Sequence, residues 1–411
     1  MAGLQSAMVF IILYEYPRGR TMSELHIPDS FRGRPYAERH FRAIAEWAAA
    51  HSPFYRRTLA GGGVPPLLTR EILQAHNDEL LDGRPVTGRT SGATSVPVRV
   101  HWDRARGVLD NRDNLAYAGW FGGVLPNARI VALSAHDKKP DTFEVASPVE
   151  AQLAFLSERI DRHGMRSLIS YPTNLVQLAG HLLDSGRTVP ELRRIVCMSE
   201  LFEPGQEAVI RRAFPNARVA ATYSCTEVGM VAGRCPHNPD NYHLMAHKLG
   251  IEFLRADGSP CADGEVGQLV ITDYHNRAMP FIRYAIGDLA APVRCDCGKI
   301  ELPALTRLLG KQRGLLRHPG GGFVFSTELS PHIRDSPEIR QYQVVQQTLT
   351  AFTLRAVARE GGDAAAFEAR MRDLFARHFG AAATVAFDWR AEIPRLPGGK
   401  YMEFVGLKEA A

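Results

Sequence analysis

The chain has 411 residues and a formal net charge of +5, with 45% hydrophobic and 23% charged residues. This length exceeds one ordinary hydrophobic core, so we expect a globular protein of two or three domains. The charge is small and no Lys/Arg run or aromatic–basic alternation is present, which argues against nucleic-acid binding.

The apolar stretch 7–14 is much shorter than the ~20 residues that span a bilayer. It has neither a preceding basic region nor a following small-residue cleavage site, which argues against a secretory signal. We therefore expect a cytoplasmic protein with no membrane partner, and leave open whether Met1 or Met22 is the native start. Six cysteines in a chain of this length do not indicate a disulfide scaffold.

Hydrophobic periodicity predicts helices and one strand in the first hundred residues. Apolar groups recur at helical spacing over 36–50, and Thr69 is a predicted N-cap for a short helix that carries Ile72 and Leu73. Residues 96–102 alternate as in a β-strand and follow a segment rich in glycine and hydroxyl groups.

Helical and strand-like segments alternate from there to about residue 220. The clearest examples are helices over 174–184 and 204–213 and strands over 194–198 and 217–223. Such alternation predicts an α/β fold with mostly parallel sheets flanked by helices.

The pattern changes to short strands and turns after residue 245. Strands over 251–254 and 268–272 have a hairpin-like arrangement, which predicts a small β-rich subdomain over about 245–309. The Gly- and Lys-containing segment 310–314 then has the composition of a linker.

The last hundred residues form a separate pattern of α+β type. Strands are predicted over 341–348, 351–358 and 382–388, with a helix over 363–378. We therefore expect an N-terminal core over 1–309, followed by a small, mobile α+β domain over 310–411.

Two segments have side chains suited to a nucleotide. The hydroxyl- and glycine-rich segment 87–94 can wrap a polyphosphate, although an ordinary polar turn has the same composition. It is not a Walker A loop, because no lysine follows a glycine at the required position. Tyr223 ends an apolar strand and can stack on a base, while Glu227 can hold Mg²⁺. The alternatives are a packing tyrosine and a solvated acid.

Two later segments add a carboxylate and a lysine. Asp288 follows Gly287 in a predicted turn, where it can accept both ribose hydroxyls or simply bond its own backbone. Lys400 follows the glycine-bearing segment 397–399. A lysine there can stabilise charge on an acid and a phosphate, or be a solvated surface residue.

These four segments, in this order, resemble motifs of the adenylate-forming superfamily of acyl- and aryl-CoA ligases. The branch most similar is that of phenylacetate–CoA ligase and the deazaflavin-coenzyme-adenylating synthetases. The corresponding blocks are Thr-Ser-Gly-Ala-Thr-Ser-Val-Pro (90–97), Tyr-Ser-Cys-Thr-Glu (223–227), Met-Pro-Phe-Ile-Arg-Tyr through Asp (279–288) and Pro-Arg-Leu-Pro-Gly-Gly-Lys (394–400). The resemblance covers roughly residues 50–405.

The resemblance implies a set of site residues. The implied nucleotide-binding residues are Thr90, Ser91, Gly92, Thr94, Ser199, Glu200, Tyr223, Ser224, Arg283 and Asp288. Glu200 would lie beside the adenine and Asp288 would bind the ribose. The implied catalytic residues are Thr226, Glu227 and Lys400. Glu227 would hold Mg²⁺, and Lys400 would swing away with the C-terminal domain for a second half-reaction.

Several positions depart from the family pattern. Ser95 and Ser224 replace glycines, and Met198 and Ser199 alter the adenine loop. Gln312-Arg313 stands where the family hinge usually has an acidic residue. Small replacements are compatible with nucleotide binding, whereas the second half-reaction is left more open.

Cysteine and histidine residues outside these motifs have the composition of a structural zinc site. Cys295 and Cys297 are the predicted ligands from one turn, with Cys235 and either His243 or His237 upstream. His243 is preferred because it opens a strand-like segment. Reduced thiols with unrelated roles are the alternative, although some short members of the branch carry a comparable set.

The implied activity is the ATP- and Mg²⁺-dependent conversion of an aryl or short acyl acid to an acyl-adenylate. Pyrophosphate leaves, and a thiol, with CoA favoured, then captures the acyl group. One alternative keeps the adenylation step but transfers the acyl group to an amine, a hydroxyl or a carrier-protein thiol. Another alternative is a catalytically degenerate nucleotide- or acid-binding protein, against which the retained Glu227, Asp288 and Lys400 argue. The identity of the acid and the oligomeric state, a homodimer included, are left open.

Overall fold

The computed structural model gives the arrangement of most of the chain. It describes residues 25–90, 97–121, 131–134, 140–311, 315–396 and 401–407. Within these ranges, no helix combines the length and apolar composition needed to cross a membrane. The predicted site residues Ser91, Gly92, Thr94 and Lys400 lie outside the described residues.

The N-terminal part of the chain contains two helices of 17 residues, several shorter helices and two short strands. They are α1 (Pro35–His51), α2 (Pro53–Thr58), α3 (Arg70–Ala75), α4 (Asn77–Leu81), β1 (Gly88–Arg89), β2 (Arg99–Val100) and α5 (Arg104–Trp120). The predicted helix 36–50 is confirmed as α1, which buries Phe41 and Ile44. Thr69 caps α3 as predicted, because its Oγ1 accepts a hydrogen bond from the backbone N–H of Ile72 at 3.4 Å.

The strand predicted over 96–102 is shorter than its alternation indicated. β2 covers only Arg99 and Val100 and pairs with β1. Beyond Val100, the backbone N–H of Trp102 donates to the side-chain Oγ1 of Thr87 at 2.9 Å. A side chain thus replaces the next backbone partner, and the ladder ends.

The predicted alternation of strands and helices is confirmed in the middle of the chain. Its elements are β3 (Val131–Ser134), β4 (Thr142–Glu144), α6 (Val149–His163), β5 (Ser167–Ser170), α7 (Pro172–Asp184), β6 (Arg194–Cys197), α8 (Pro204–Ala213) and β7 (Arg218–Cys225). The strands lie in the order β7-β6-β5-β3-β4 and are parallel. Their carboxyl ends therefore share one edge, where a ligand crevice forms in open α/β sheets.

The strands after β7 continue the same sheet in antiparallel form. They are β8 (Gly229–Arg234), β9 (Tyr242–Leu244), β10 (Leu249–Leu254), β11 (Gly267–Asp273), β12 (Tyr284–Val293) and β13 (Ala304–Lys311). The resulting eleven-stranded order is β10-β11-β12-β13-β9-β8-β7-β6-β5-β3-β4. The predicted change to short strands is confirmed, but antiparallel pairing begins earlier, at Gly229.

The antiparallel half curls back on the parallel half. β12 lies four steps from β7 in the sheet order, which in a flat sheet would separate them by about 19 Å. Tyr223 of β7 nevertheless donates a hydrogen bond to Asp288 of β12 at 2.6 Å. This curvature brings the start of β12 to the carboxyl edge of the parallel strands.

The C-terminal elements form a smaller α+β unit. They are β14 (Leu316–Arg317), β15 (Phe323–Val324), α9 (Ser326–Arg334), β16 (Ile339–Gln346), β17 (Ala351–Ala358), α10 (Ala364–Phe379), β18 (Thr384–Trp389) and β19 (Phe404–Val405). The sheet order is β18-β17-β16-β19, and Phe367 and Phe375 of α10 are buried in a hydrophobic cluster separate from the main core. The strands and helix predicted here are confirmed, while the domain boundary near residue 310 stays a prediction.

One predicted turn is wrong, and one predicted linker overlaps the end of a strand. Asp288 lies within β12, opposite Lys311 of β13, and not in a turn. Gly310 likewise pairs with Leu289, so the predicted linker begins with two residues that are still in β13. Gly287 has φ +83° inside β12. A glycine next to an aspartate is typical of a turn, but a strand irregularity uses the same positive φ.

Candidate active site

The candidate active site lies where β7 turns into β8. Thr226 and Glu227 occupy this turn, between Cys225 and Gly229. Gly229 has φ +66°, and a Cβ at this position would lie 2.3 Å from Oδ1 of Asp110. Glycine is therefore required for the chain to return this tightly at the edge of the sheet.

The Glu227 carboxylate is held by two residues outside its own motif. Its Oε1 accepts hydrogen bonds from the Tyr284 hydroxyl at 2.8 Å and from Nη1 of Arg70 at 3.3 Å. The side chain is only 5% exposed. Burial and the nearby Glu227 charge raise the pKa of Tyr284, which keeps it a donor at neutral pH. Among the described residues, no group donates to Oε2, so this oxygen can serve as a ligand.

Arg70 links Glu227 to the start of the predicted phosphate loop. Its Nη2 donates to Oγ1 of Thr90 at 3.0 Å, and the same oxygen accepts from the backbone N–H of Val98 at 2.9 Å. Sequence reasoning missed Arg70, and it assigned no role to Tyr284 although this residue lies in the 279–288 block. Arg70 showed only as the first residue of a short helix, and its partners come from distant parts of the chain.

Thr226 and Ser224 lie on either side of Cys225 in the chain and have different surroundings. A Cβ added to Gly88 would lie 3.0 Å from Cγ2 of Thr226, so glycine in β1 allows the phosphate-loop hairpin to approach this turn. Ser224 is exposed on β7. Its hydroxymethyl group, at a position where the resemblance predicts glycine, therefore has room.

The predicted adenine residue and the predicted ribose residue are in direct contact. The Tyr223 hydroxyl donates to Oδ2 of Asp288 at 2.6 Å, and Asp288 is buried. Burial, reinforced by the Asp288 carboxylate, raises the pKa of Tyr223 well above its usual value. Tyr223 is thus a neutral phenol that orients the Asp288 carboxylate.

Arg283 lies away from these contacts. Its Nε and Nη2 donate to the Glu252 carboxylate at 3.0 and 3.1 Å, and its Nη1 donates to the carbonyl oxygen of Pro65 at 2.7 Å. These bonds hold the guanidinium inside the antiparallel half, whereas the next residue, Tyr284, reaches Glu227. The nucleotide contact of Arg283 stays a prediction.

The predicted adenine loop follows β6, the neighbour of β7. Ser199 has φ +65°, an uncommon conformation for a residue other than glycine. Oε2 of Glu200 accepts from the backbone N–H and Oγ1 of Thr173 at 3.1 and 2.7 Å, and Oε1 accepts from the Tyr401 N–H at 2.6 Å. Burial raises the pKa of Glu200, although nearby Arg395 and these hydrogen bonds act to lower it.

A buried network beneath the turn fixes its backbone. Nε1 of Trp102 donates to the carbonyl oxygen of Glu227 at 3.1 Å, and the Arg106 guanidinium donates to that of Val228. Arg106 has no exposed side-chain surface, and its Nε lies 2.5 Å from Oδ2 of Asp273. An unpaired charge would be costly here, so this ion pair is what permits a buried guanidinium. Sequence reasoning gave no signal for it.

The predicted metal ligands come together in the antiparallel half. The ligand atoms of Cys235, His243, Cys295 and Cys297 all lie within 4.8 Å of one another. The sulfurs of Cys235 and Cys295 are 4.0 Å apart, and Sγ of Cys297 is 3.7 Å from Nε2 of His243. Ligands on a tetrahedral zinc ion lie about 3.5–3.8 Å from each other, so this donor set fits zinc.

The geometry distinguishes the two candidate histidines. Nδ1 of His243 donates to the carbonyl oxygen of Leu302 at 3.1 Å, which directs Nε2 toward the cysteines. Burial lowers the pKa of His243 and favours the neutral imidazole that metals bind. His237 instead offers its backbone N–H to Sγ of Cys235 at 3.4 Å. The cluster therefore groups His243, and not the ring of His237, with the cysteines.

Comparison with known proteins agrees with the resemblance read from the motifs. No protein-family model matches the chain. A phenylacetate-coenzyme A ligase of Thermus thermophilus is 28% identical over 151 residues, which is 35% of this chain and 34% of that ligase. The chain thus matches about a third of the length of this curated relative.

A 2-hydroxyisobutyryl-CoA ligase, solved in its postadenylation state with an acyl-adenylate, superimposes with a TM-score of 0.71. The identity is 18%, over 94% of this chain and 92% of that one. The protein has the fold of an acyl-CoA ligase. In its thioesterification state, with adenylate and CoA bound, the same ligase gives a TM-score of 0.56 at 17% identity, over 94% and 92% of the two chains.

An amide bond synthetase from Marinactinospora thermotolerans shares this acyl-CoA ligase fold. Its TM-score is 0.55 at 17% identity, over 77% of this chain and 68% of that one. The predicted α/β fold class and the predicted resemblance to adenylate-forming ligases are confirmed. The roles of the individual site residues stay predictions.

Proposed function

We propose that the protein is an ATP-dependent, AMP-forming ligase that activates a carboxylic acid as its acyl-adenylate. The observation that carries this proposal is the convergence of three motif blocks at one edge of the sheet. Thr90 and Glu227 are bridged by Arg70, and Tyr223 is bonded to Asp288. Residues so far apart in sequence meet at the place where α/β sheets bind ligands.

The Tyr223–Asp288 contact suits the adenosine part of ATP. A carboxylate has acceptor sites for both ribose hydroxyls, and the bond from Tyr223 fixes where the Asp288 carboxylate lies. We assign the ribose to Asp288 and the base to the ring of Tyr223. Ser199 and Ser224, on the neighbouring loop and strand, complete the proposed base-binding edge.

The Glu227 carboxylate suits a magnesium ion. Mg²⁺ prefers one or two carboxylates together with phosphate oxygens, and Oε2 of Glu227 is available among the described contacts. Bound Mg²⁺ would neutralise charge on the phosphates. Arg70 adds a fixed positive charge between Glu227 and Thr90, and we assign it to the same phosphates.

In the proposed reaction an oxygen of the acid's carboxylate attacks the α-phosphorus. The bond from that phosphorus to the bridging oxygen of the β-phosphate breaks, and pyrophosphate leaves. Thr226 forms a hydrogen bond with the α-phosphate, and Lys400 stabilises the charge that develops on the acid and the phosphate. A thiol then attacks the acyl carbon of the adenylate, releases AMP and loses its proton.

We propose CoA as the acceptor thiol. Support comes from the Thermus relative, a phenylacetate-coenzyme A ligase, and from the fold shared with 2-hydroxyisobutyryl-CoA ligase. An amine acceptor is the second candidate, because an amide bond synthetase has the same fold. The higher TM-score to the postadenylation state than to the thioesterification state supports an arrangement of the two units like that of the postadenylation state.

We further propose a structural zinc ion at the Cys235, His243, Cys295 and Cys297 cluster. It would join the loop after β8 to the turn after β12 and take no part in the chemistry. Reduced thiols of this kind suit a cytoplasmic location. We also propose that residues 1–309 and 310–411 are the two domains.

The deciding experiment is acid-dependent exchange of labelled pyrophosphate into ATP across a panel of aryl and short acyl acids. We expect exchange with at least one acid, and mass spectrometry with CoA or an amine then identifies the acceptor. Absence of both exchange and ATP binding would overturn the proposal. ATP binding without turnover on any acid would indicate a degenerate nucleotide-binding protein.

A further inference from the structure

Glu200 lies at the meeting point of the two units. It follows β6, and its side chain is 7% exposed. Its Oε2 is held from the main core by Thr173, whereas its Oε1 accepts from the backbone N–H of Tyr401 at 2.6 Å. One buried carboxylate thus joins the N-terminus of α7 to the segment that precedes β19.

A second residue attaches the chain on the other side of residues 397–400. Nη1 of Arg395 donates to Oγ1 of Thr173 at 2.9 Å and lies 3.6 Å from Oε1 of Glu200. Its Nη2 donates to Oε1 of Gln177 at 3.2 Å. Arg395 and Tyr401 flank the stretch that contains Lys400, and both contact the same small patch of the core.

We infer that Glu200 is a positioning residue, which docks the chain on both sides of Lys400 against the core for adenylation. This inference rests on the proposed function, because it gives Lys400 its place in the first half-reaction. It also assigns Glu200 a role different from the adenine contact that the motif resemblance implies.

The acceptor count of the carboxylate favours docking over adenine binding. An ionised carboxylate offers about four acceptor sites. Thr173 fills two of them and Tyr401 one, and the Arg395 guanidinium lies beside the same oxygen as Tyr401. Little capacity is left for an adenine amino group while the segment is docked.

The contact is also suited to being broken. Burial raises the pKa of Glu200, which means that removing the carboxylate from water opposes the gain from its hydrogen bonds. The same loop makes a second contact, in which Glu203 accepts from Ser330 Oγ and from Nη1 of Arg334, each at 2.6 Å. Because desolvation of the carboxylate offsets part of the free energy of its hydrogen bonds, the C-terminal segment can leave this position for the thiol step.

Glu200→Gln tests the inference directly. An amide has one accepting oxygen, so its NH₂ group must face a donor, either at Thr173 or at Tyr401. In the ligand-free protein we expect amide hydrogen exchange of peptides within 401–407 to accelerate roughly tenfold. With ATP and acid, kcat for pyrophosphate exchange should fall roughly tenfold or more, with affinity for a fluorescent ATP analogue changed less than about twofold.

Asp184→Asn is the matched control. Asp184 also joins the two units, through Nη1 of Arg359 at 2.8 Å, but this ion pair is exposed and contributes little. Both readouts should stay within about twofold of wild type. Should Glu200→Gln fail to fold, Arg395→Gln removes the docking contact from the C-terminal side and should give the same two changes.

Two results would overturn the inference. One is unchanged hydrogen exchange at 401–407 in Glu200→Gln; the other is weakened ATP binding with unaltered kcat, which would identify an adenine contact. If the wild-type protein shows no acid-dependent exchange, the proposed function fails, and hydrogen exchange in the ligand-free protein alone decides whether Glu200 docks the segment.

Discussion

Glu227 and Glu200 follow the neighbouring parallel strands β7 and β6, and their side chains are 5% and 7% exposed. Their partners differ in origin. Glu227 is held by Arg70 and Tyr284, which lie within the main unit. Glu200 is held partly by Tyr401, which belongs to the C-terminal segment. The two carboxylates are thus similarly buried, but Glu227 has partners within one unit only, whereas Glu200 has a partner that a movement of the C-terminal unit would remove.

The difference separates two tasks of the proposed two-step ligase. A carboxylate fixed inside one packed unit is preorganised and needs no rearrangement when charge develops. A carboxylate shared between units reports whether the units are docked, because its contact is lost when the units separate. Substitution of Glu227 should therefore lower the rate of adenylation directly, whereas substitution of Glu200 should lower it by loosening the docking of the C-terminal unit.

The largest effect is expected for Glu227→Gln. The change removes the proposed anionic ligand for Mg²⁺ and leaves Arg70 facing a neutral amide, so acid-dependent pyrophosphate exchange should fall about 10³-fold. The assay is run at saturating ATP and Mg²⁺. Glu265→Gln, at the exposed pair with Arg255, is the control and should stay within about twofold. Retention of near wild-type exchange by Glu227→Gln would contradict the assignment.

Lys400→Ala should have the next largest effect, about 10²-fold on pyrophosphate exchange, since in the proposed mechanism it removes a charge that acts in the transition state. Binding of an ATP analogue should change less than about twofold. Lys299→Ala removes an exposed lysine and serves as the control. Unaltered exchange in Lys400→Ala would remove Lys400 from the mechanism.

Combining these variants sharpens the comparison between the two glutamates. If Glu200 acts by placing Lys400, the Glu200→Gln change should add little to Lys400→Ala, because residues that act as a unit are not additive. The effect of Glu200→Gln should multiply with that of Asp288→Asn, because the role proposed for Asp288, binding the ribose, is independent of Lys400. Full additivity with Lys400→Ala would argue that Glu200 acts independently.

A smaller effect, about a tenfold rise in KM for ATP, is expected for Asp288→Asn. Loss of hydrogen bonds between a charged carboxylate and the ribose hydroxyls accounts for this magnitude. Tyr223 can still donate to the amide oxygen, so the local packing should persist. Comparison of ATP with 2′-deoxy-ATP provides the measurement, since Asp288→Asn should lower the discrimination between them.

The smallest effect on adenylation is expected at the zinc cluster. Cys297→Ser should lower both the bound zinc, measured by mass spectrometry of metals, and the melting temperature, by roughly 5–10 °C. Exchange per folded molecule should stay within about twofold. Cys261→Ser changes a cysteine outside the cluster and should leave zinc and melting unchanged. A full zinc content in Cys297→Ser would contradict the proposed ligand set.

Part of the fold could be predicted from local pattern. The helical spacing of 36–50 became α1, and the cap at Thr69 is present because its side chain bonds a backbone group three residues away. The alternation of helical and strand-like segments before residue 220 predicted the parallel strands, because each segment is recognised from residues close together in the chain. The turn predicted at Asp288 was wrong because a strand irregularity in β12 and a turn use the same glycine conformation.

Part of the candidate site could likewise be predicted from the sequence, and part could not. The motif order identified Tyr223, Glu227 and Asp288 as candidates. It gave no sign of Arg70 and assigned no role to Tyr284, although Tyr284 lies in the 279–288 block; their contacts with Glu227 span 157 and 57 positions in the chain. Nor did it indicate that Glu200 bonds Tyr401.

By itself, the sequence determined the order of the chemical blocks, the α/β class and the candidate metal-binding side chains, with His237 and His243 both left open, because each is a local property of residue type and spacing. The tertiary structure alone decided which side chains meet. The curl of the antiparallel strands joins Tyr223 to Asp288, and packing of the C-terminal unit places Tyr401 on Glu200. Such contacts depend on how the chain is folded back on itself, which neighbouring residues do not encode.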